Sequence, residues 1–330
     1  MSQRDDARAH PRSPAEILTK RGVVSVGLMA PSLVARVAQH PTDNGHAEYR
    51  DAQWQIGADA AIVAATLAQW GIATTILGNA LGRDALGRDF ARVLRSYGLR
   101  RQIRLRRDLV TPLEFIAADA RDVRVWYTPE CADVWKTIEA ADFRVIATSL
   151  FLYTDWYAED GASAASRAAA AHAVPLLLNL GRSAWHRERF PRFAEHASIL
   201  QVSCDERAAT ASAEDILSDL RARTDVPSIV VTHGRHGCVA SVQGRIYRVP
   251  APNVDVVDTN GAGAAFSAAL IYARLHAWAP LEQLRFACAA GALKCGAPGI
   301  IQHSAASVRN AMRRMPTRRQ PPVPTRTVKR

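Results

Sequence analysis

From about Arg144 onward the chain repeats one pattern: a short apolar run rich in β-branched residues, then a polar or alanine-rich stretch of helical length. The runs are predicted as strands near Arg144 to Thr148, Val174 to Asn179, Ile199 to Ser203 and Ser228 to Thr232. Strands joined through helices run parallel, and a parallel sheet needs helices over both faces. The pattern therefore restricts the fold to a three-layer αβα domain around a mostly parallel sheet.

Flanking segments extend this plan. Gly22 to Gly27 reads as a buried first strand, Ala73 to Leu77 as another, and Arg235 to Val249 as a hairpin turned at Gln243 and Gly244. Helices are expected over Asp59 to Trp70, closed by Gly71, over Asp84 to Tyr97, and in two final stretches, Gly261 to His276 and Leu281 to Cys295. Pro112 to Ala118 and Val123 to Tyr127 are predicted to form a hairpin with the mixed, aromatic segment His46 to Gln55. That small β-sheet would be a lid, from segments of about 46–56 and 111–128, on one domain spanning 22–308.

Composition bears mainly on the ends. The formal charge is +11, but the eight basic and no acidic residues of 309–330 leave only +3 for the rest of the chain. With Pro316, Pro321, Pro322 and Pro324, residues 309–330 are expected to be a disordered basic tail, and residues 1–21 a disordered N-terminal extension. Clustered positive charge on such a tail can hold nucleic acid without any fold, although basic tails are more often inert. Cys131, Cys204, Cys238, Cys288 and Cys295 are scattered without a CxxC pair, which argues against a disulfide framework or a zinc site. No apolar run reaches membrane-spanning length and the first residues lack a secretory signal, so a cytoplasmic location is expected.

The sharpest chemical signal is Asp258-Thr-Asn-Gly-Ala-Gly-Ala-Ala-Phe266, placed between an extended segment and a helix. Small residues let backbone approach a ligand, and the free amides of a first helical turn, with the helix dipole, favour an anion such as phosphate. A glycine turn alone is a weak signal. Here it is joined by Thr232, Gly234 and Gly237 upstream, and by Gly78, Gly82, Asp84 and Gly87 near the start. In order and spacing these elements resemble the ribokinase, or PfkB-type, family of sugar and nucleoside kinases over about residues 22–300.

The resemblance implies a ribokinase-like fold, ATP and magnesium as cofactors, potassium as a monovalent companion, and a sugar or nucleoside acceptor. It implies an anion hole at Gly261, Ala262 and Gly263, followed by a catalytic aspartate; this chain has Ala264 there. Asp258 and Asn260 match positions that help to hold a monovalent cation. The family's Asn-x-x-Glu element, which organises magnesium, corresponds to Ser203 through Glu206, with the glutamate kept. Thr232, Gly234 and Gly237 match the nucleotide-side strand end, and Gly296 begins a loop resembling the one that closes over the purine. On the acceptor side, Ala30 and Ser32 stand where an asparagine and an aspartate are common. The Gly-Gly-x-x-x-Asn element reads Gly57, Ala58, Asp59, then Ile62 in place of the asparagine. Asn179-Leu-Gly181 resembles the adenosine-kinase branch. Dimerisation through the lid is implied by analogy.

A positioned general base contributes about 100-fold to 10,000-fold to rate, roughly 3 to 5 kcal/mol. Alanine at 264 thus predicts impaired turnover with nucleotide binding retained. The substitution is either an inactivating change or natural divergence, and the losses at Ala30, Ser32 and Ile62 favour divergence. Two non-kinase readings compete: a nucleotide- or sugar-binding pseudokinase serving as a regulatory or assembly subunit, and a nucleic-acid-associated protein using its tail. Blander roles are also expected. Asp59 and Asp84 read as helix caps, His233 and His236 as solvated loop residues, and Arg100, Arg101, Arg104, Arg106 and Arg107 as solvated surface. Trp54, Trp126 and Trp156 read as core or lid packing.

Overall fold

The computed structural model describes residues 22–99, 103–121, 123–157, 159–182, 190, 194–204 and 211–316. With elements numbered along the chain, eight strands form the main sheet. Six are mutually parallel: β1 (Val23–Val26), β4 (Thr74–Leu77), β9 (Phe151–Asp155), β10 (Leu176–Asn179), β11 (Ile199–Ser203) and β12 (Ser228–Thr232). The antiparallel β13 (Cys238–Val242) and β14 (Arg245–Val249) complete the order β14-β13-β12-β11-β10-β9-β1-β4. β1, β9 and β10 are buried at every position, as a sheet covered on both faces requires.

One face carries α1 (Asp59–Gln69), α6 (Ala262–Leu275) and α7 (Pro280–Cys295). Alanines at 60, 61, 64 and 65 in α1, and at 264, 265, 268 and 269 in α6, are fully buried. These short side chains let the helices approach closely, and Phe266, Leu270 and Phe286 fill the space around them. The opposite face packs α4 (Glu159–Ala171) and α5 (Ala213–Arg223) through Ala165, Ala169, Ile216, Leu217 and Leu220. Adjacent strand residues divide between the faces: Leu177 joins the first core, Leu176 and Leu178 the second.

A separate four-stranded sheet runs β3-β2-β7-β8, from β2 (Ala30–Val37), β3 (Tyr49–Gly57), β7 (Glu114–Ala118) and β8 (Arg124–Tyr127). The β7–β8 hairpin is as expected, but the His46 segment does not pair with it. β2 lies between them, antiparallel to β3 and parallel to β7. Pro31 disguised this strand. It is tolerated because the β7 pairing begins only at Ser32, so the missing N–H interrupts no bond on that side. A short pair, β5 (Leu81–Gly82) with β6 (Leu105–Arg106), leads into α2 (Ala85–Ser96).

Two further expectations are corrected. Residues Phe143–Thr148 form a 3-10 helix, introduced by Asp142 accepting from the Arg144 amide, and β9 follows at Phe151. Of two adjacent apolar runs, only the second reaches the sheet between β1 and β10, while Ile146 packs beneath α4. The chain also stays folded past 308, where the tail was expected to begin. α8 (Ala305–Arg314) is capped by Ser304 and buries Val308 and Met312. Arg285 ties it down by donating to the carbonyls of Met312, Met315 and Pro316. Arg309 lies over the Trp278 ring at 4.6 Å. Residues 1–21 and 317–330 lie outside the described part.

Asp84 does cap α2. Its carboxylate accepts from the Gly87 amide (2.7 Å), the Thr111 amide (2.7 Å) and the Thr111 hydroxyl (2.9 Å). Burial pushes its pKa up, but those donors outweigh burial and hold it below the ordinary value. Because it ties a helix start to the entry of β7, Asp84→Ala is expected to cost about 2 kcal/mol, the upper end for a lost N-cap. Chemical denaturation at neutral pH measures this.

Candidate active site

The parallel strands end on one side of the sheet, where their C-termini present Asp155, Asn179, Ser203 and Thr232. Ligands of open α/β sheets bind at this edge. Ser203 and Thr232 are register partners, and the Thr232 hydroxyl donates to Ser203 Oγ (3.1 Å) and the Val202 carbonyl (3.2 Å). The next turn, Gly234–His236, closes at Gly237, whose φ of 90° favours glycine; a Cβ there would stand 2.0 Å from the Val249 carbonyl. These nucleotide-side residues therefore meet on adjacent strand ends. His233 and His236 stack loosely, ring centroids 4.7 Å apart. Glu206 lies outside the described residues.

The glycine turn opens α6. Gly261 is the N-cap with φ 79°, a left-handed conformation suited to glycine, and the first i→i−4 bond runs from the Ala265 amide to the Gly261 carbonyl. The amides of Gly263 and Ala264 precede that bond, at the positive end of a 14-residue helix. A Cβ built on Gly263 meets nothing within 4 Å, so the turn has open space beside it. Ala264 is fully buried. Gln201, which the sequence reading passed over, fixes this turn to the sheet. Its amide donates to the Gly263 carbonyl (3.3 Å) and its Oε1 accepts from Ser267 (2.8 Å).

Beside the turn, Asp258 is a buried junction. Its Oδ1 accepts from the Asn260 amide (2.8 Å), while Oδ2 accepts from Gln55 of the lid (3.1 Å) and faces Lys294 Nζ at 3.2 Å. The same Nζ donates to the Asp258 carbonyl (2.8 Å) and, across the Gly296 loop, to the Ala297 carbonyl (3.2 Å). Burial pulls the Lys294 ammonium below the ordinary lysine pKa, and Asp258 pulls the other way. The Asn260 side chain donates to Gln55 Oε1 (3.3 Å). Gln55 and Lys294 were not singled out in the sequence, because a glutamine on a half-exposed strand and a lysine in an apolar helix carry no motif.

Ser32, Gly57, Ala58 and Asp59, expected on the acceptor side, lie near Glu114 and Asp155, carboxylates that sequence reasoning missed. Ser32 donates to Glu114 Oε2 (2.6 Å), and Gly57 is packed so closely that a Cβ would stand 2.0 Å from Ser32 Oγ. Ala30 pairs with Gly57 across the lid. Asp59 is not the helix cap; Ala58 occupies that position, and no side chain caps the helix. Instead the Asp59 carboxylate accepts from Asn179 Nδ2 (3.1 Å), which also lies 3.2 Å from Tyr153 Oη. Desolvation, with the Glu114 charge behind it, raises Asp59 to about 6. Burial raises Glu114 too, and burial with the Asp59 charge pushes Asp155 well above the usual carboxylate range. Ile62 lies one helical turn after Asp59; its Cδ1 is the nearest atom to the space over Gly261, with Lys294 Cε next to it. The acceptor residues and the anion turn are thus neighbours. The arginine group separates from them. Arg104 donates to the Gly78 and Thr137 carbonyls and Arg106 pairs with Asp108, while Arg100 and Arg101 lie outside the described residues.

A glycine turn at a helix start, with open space beside Gly263 and buried polar side chains nearby, agrees with the family suggested by the motifs, and the family match decides it. Residues 20–306 match the pfkB family carbohydrate kinase domain. The chain belongs to the PfkB family. Among PfkB relatives, it is 27% identical over 278 residues to an ATP-dependent ribose-1-phosphate kinase of Halopiger xanaduensis, covering 84% of this chain and 93% of that one. A shorter stretch of 117 residues is 35% identical to an acarbose 7(IV)-phosphotransferase of an Actinoplanes species, covering 34% and 38% of the two chains. The fold matches a proposed ribokinase of Agrobacterium tumefaciens with a TM-score of 0.78 at 23% identity, covering 89% and 97% of the two chains. It also matches Arabidopsis thaliana ribokinase, solved with ribose and ATP, with a TM-score of 0.70 at 18% identity, covering 88% and 98%. The ribokinase-like architecture is therefore that of this PfkB chain. Among the described residues, no helix is long and apolar enough to cross a membrane, and no cluster of three or more His, Cys, Asp or Glu is arranged to hold a metal.

Two outcomes are expected from these contacts. Ala58 has φ 65° and ψ 137°, a region that costs a non-glycine residue about 1 to 3 kcal/mol, so Ala58→Gly should raise stability by roughly 1 kcal/mol despite the added chain entropy. Asp59 has a folded pKa above its ordinary 3.8, so its contribution is present below about pH 4 and is lost as pH rises through 6. The stability difference between Asp59→Asn and the original chain should therefore change by an order of 2 kcal/mol in favour of the variant between pH 4 and 7. Denaturant titrations across that range check the sign.

Proposed function

We propose that this chain binds ATP with the terminal phosphate against residues 261–263, and that it transfers that phosphate slowly or not at all. The carrying observation is Ala264: fully buried at the first turn of α6, it offers no carboxylate to receive a proton from an acceptor hydroxyl. The anion-binding geometry does not depend on that side chain. Backbone amides and the helix dipole act on the phosphates whether or not a base is present, so binding outlasts turnover. Thr232, Gly234, Gly237 and the Gly296 loop would flank the nucleotide. Magnesium would neutralise charge on the phosphates, with Glu206 the candidate to organise its water shell.

The acceptor, where one binds, is a neutral sugar or nucleoside rather than a sugar phosphate. Burial raises Asp59, Glu114 and Asp155, with the Glu114 charge adding at Asp59 and the Asp59 charge adding at Asp155, and a further anion among them would add repulsion. Asn179 and Ser32 supply hydrogen-bonding groups suited to hydroxyls. The resulting role is that of a nucleotide- or sugar-responsive PfkB protein with little kinase activity.

A second reading rests on Asp59. It shares a helix face with Ile62, which borders the anion turn, and its pKa of about 6 suits a general base at neutral pH. If Asp59 serves as base, residual ADP formation should rise with pH through about 6 and disappear in Asp59→Asn.

The deciding measurement is ADP formation over a panel of sugars and nucleosides, for the chain as it stands and for Ala264→Asp. The original chain should be near background, and the variant about 100-fold or more faster on the accepted substrate. In parallel, ATP with magnesium at about 100 times its dissociation constant should add roughly 2.7 kcal/mol of stability to the original chain. Absence of that stabilisation at millimolar ATP would remove the nucleotide reading altogether.

A further inference from the structure

The sequence resemblance places a monovalent cation beside the anion turn, at Asp258 and Asn260, and the residues present do not fit one. The oxygens that would receive it are taken by a side chain. Lys294 Nζ lies 2.8 Å from the Asp258 carbonyl, 3.2 Å from Asp258 Oδ2 and 3.2 Å from the Ala297 carbonyl. Its side chain has no solvent exposure, and Asp258 is 4% exposed. Asn260 has turned away to Gln55. A free cation here would share one carboxylate with a fixed ammonium, and two like charges in a buried site repel strongly.

We infer that Lys294 is a built-in replacement for the monovalent cation, holding the 258–263 turn in its anion-binding shape without potassium. Residue chemistry supports this. The chain uses 38 arginines and only 4 lysines, so a buried lysine is a departure from its usual basic residue. An ammonium is a compact point charge with three diverging donors, whereas a guanidinium is a planar fork. Three oxygens from two separate loops suit the former. The lysine also links the turn before α6 to the loop after α7, through the Asp258 and Ala297 carbonyls. Lys294 is thus a positioning residue: it acts through Asp258 on the backbone of the turn and touches no reacting atom.

The inference rests on the nucleotide reading only where ATP is the probe, so the test has two arms. The first follows thermal melting of the ligand-free chain in potassium chloride and in choline chloride at matched ionic strength. The original chain should melt at the same temperature in both. Lys294→Met should melt lower in choline and recover specifically with potassium, which would fill the vacated oxygens. The second arm measures ATP–magnesium affinity in the same salts: unchanged for the original chain, and roughly tenfold weaker in choline than in potassium for Lys294→Met, within the usual range for coupled sites. Potassium-specific stabilisation of the original chain overturns the inference, as does a Lys294→Met protein indifferent to potassium. Should that variant fail to fold, the original chain decides alone, since indifference to potassium supports the inference and dependence on it overturns it. Failure of ATP to bind in any salt removes the nucleotide reading and leaves the first arm standing.

Discussion

The junction at Asp258 is the constraint around which the site is organised. One buried carboxylate receives the lid through Gln55, its own loop through the Asn260 amide, and the end of α7 through Lys294. Gln55 and Lys294 lie 203 and 36 residues from Asp258 in the chain, and each polar group is costly to leave unpaired once water is excluded. The network is closed: Asn260 returns to Gln55, and Lys294 returns through Ala297 to the loop after α7. With Gln201 pinning Gly263 from below, the anion turn is held from the sheet, the lid and the neighbouring helix at once. Such a turn is preorganised, which matters because amides aimed at phosphate contribute most when they need not reorient on binding.

The opposite side of the cleft is organised by unfavourable rather than favourable charge. Asp59, Glu114 and Asp155 share a small volume and have no buried cation among the contacts described above; hydrogen bonds from Ser32, Asn179 and the Tyr157 amide hold them in place. Burial is the main reason their pKa values are raised, with a neighbouring carboxylate adding at Asp59 and at Asp155. Clusters of this type belong to sites that meet a ligand more often than to ordinary core, because selection for stability alone would neutralise them. These carboxylates set this region apart electrostatically from the start of α6, where the helix dipole presents positive charge.

The main-sheet strands at 199–203 and 228–232, the 243–244 hairpin turn and the two long helices near the C-terminus were legible from apolar runs and turn residues, since burial on both faces leaves a plain signature. β2 was hidden by Pro31, and β9 by a neighbouring apolar run that folded as a 3-10 helix. α8 was hidden by its arginines, although Val308, Met312 and Met315 carry its buried stripe. At the site, glycines and the residues of the turn were readable because their role depends on local backbone. Gln55, Glu114, Gln201 and Lys294 were not, because their roles exist only after segments far apart in the chain are folded against one another.

The substitutions around the turn are physically coherent with one another. Ala264 is wholly buried in the α1–α6 core, where its methyl group packs among apolar neighbours. Ile62 borders the space over Gly261 from α1, where its Cδ1 would stand 3.2 Å from an added Cβ. A lysine in place of a mobile ion likewise trades an exchangeable charge for a permanent one. Each change makes the turn drier and more fixed, and none removes the amides that grip an anion. A site optimised for repeated turnover needs a base that can take up and release a proton beside the acceptor; a site whose task is to register bound nucleotide needs only a rigid cradle. Ala264 and Ile62 both belong to the core between α1 and α6, so the turn is backed by apolar side chains while its amides face open space.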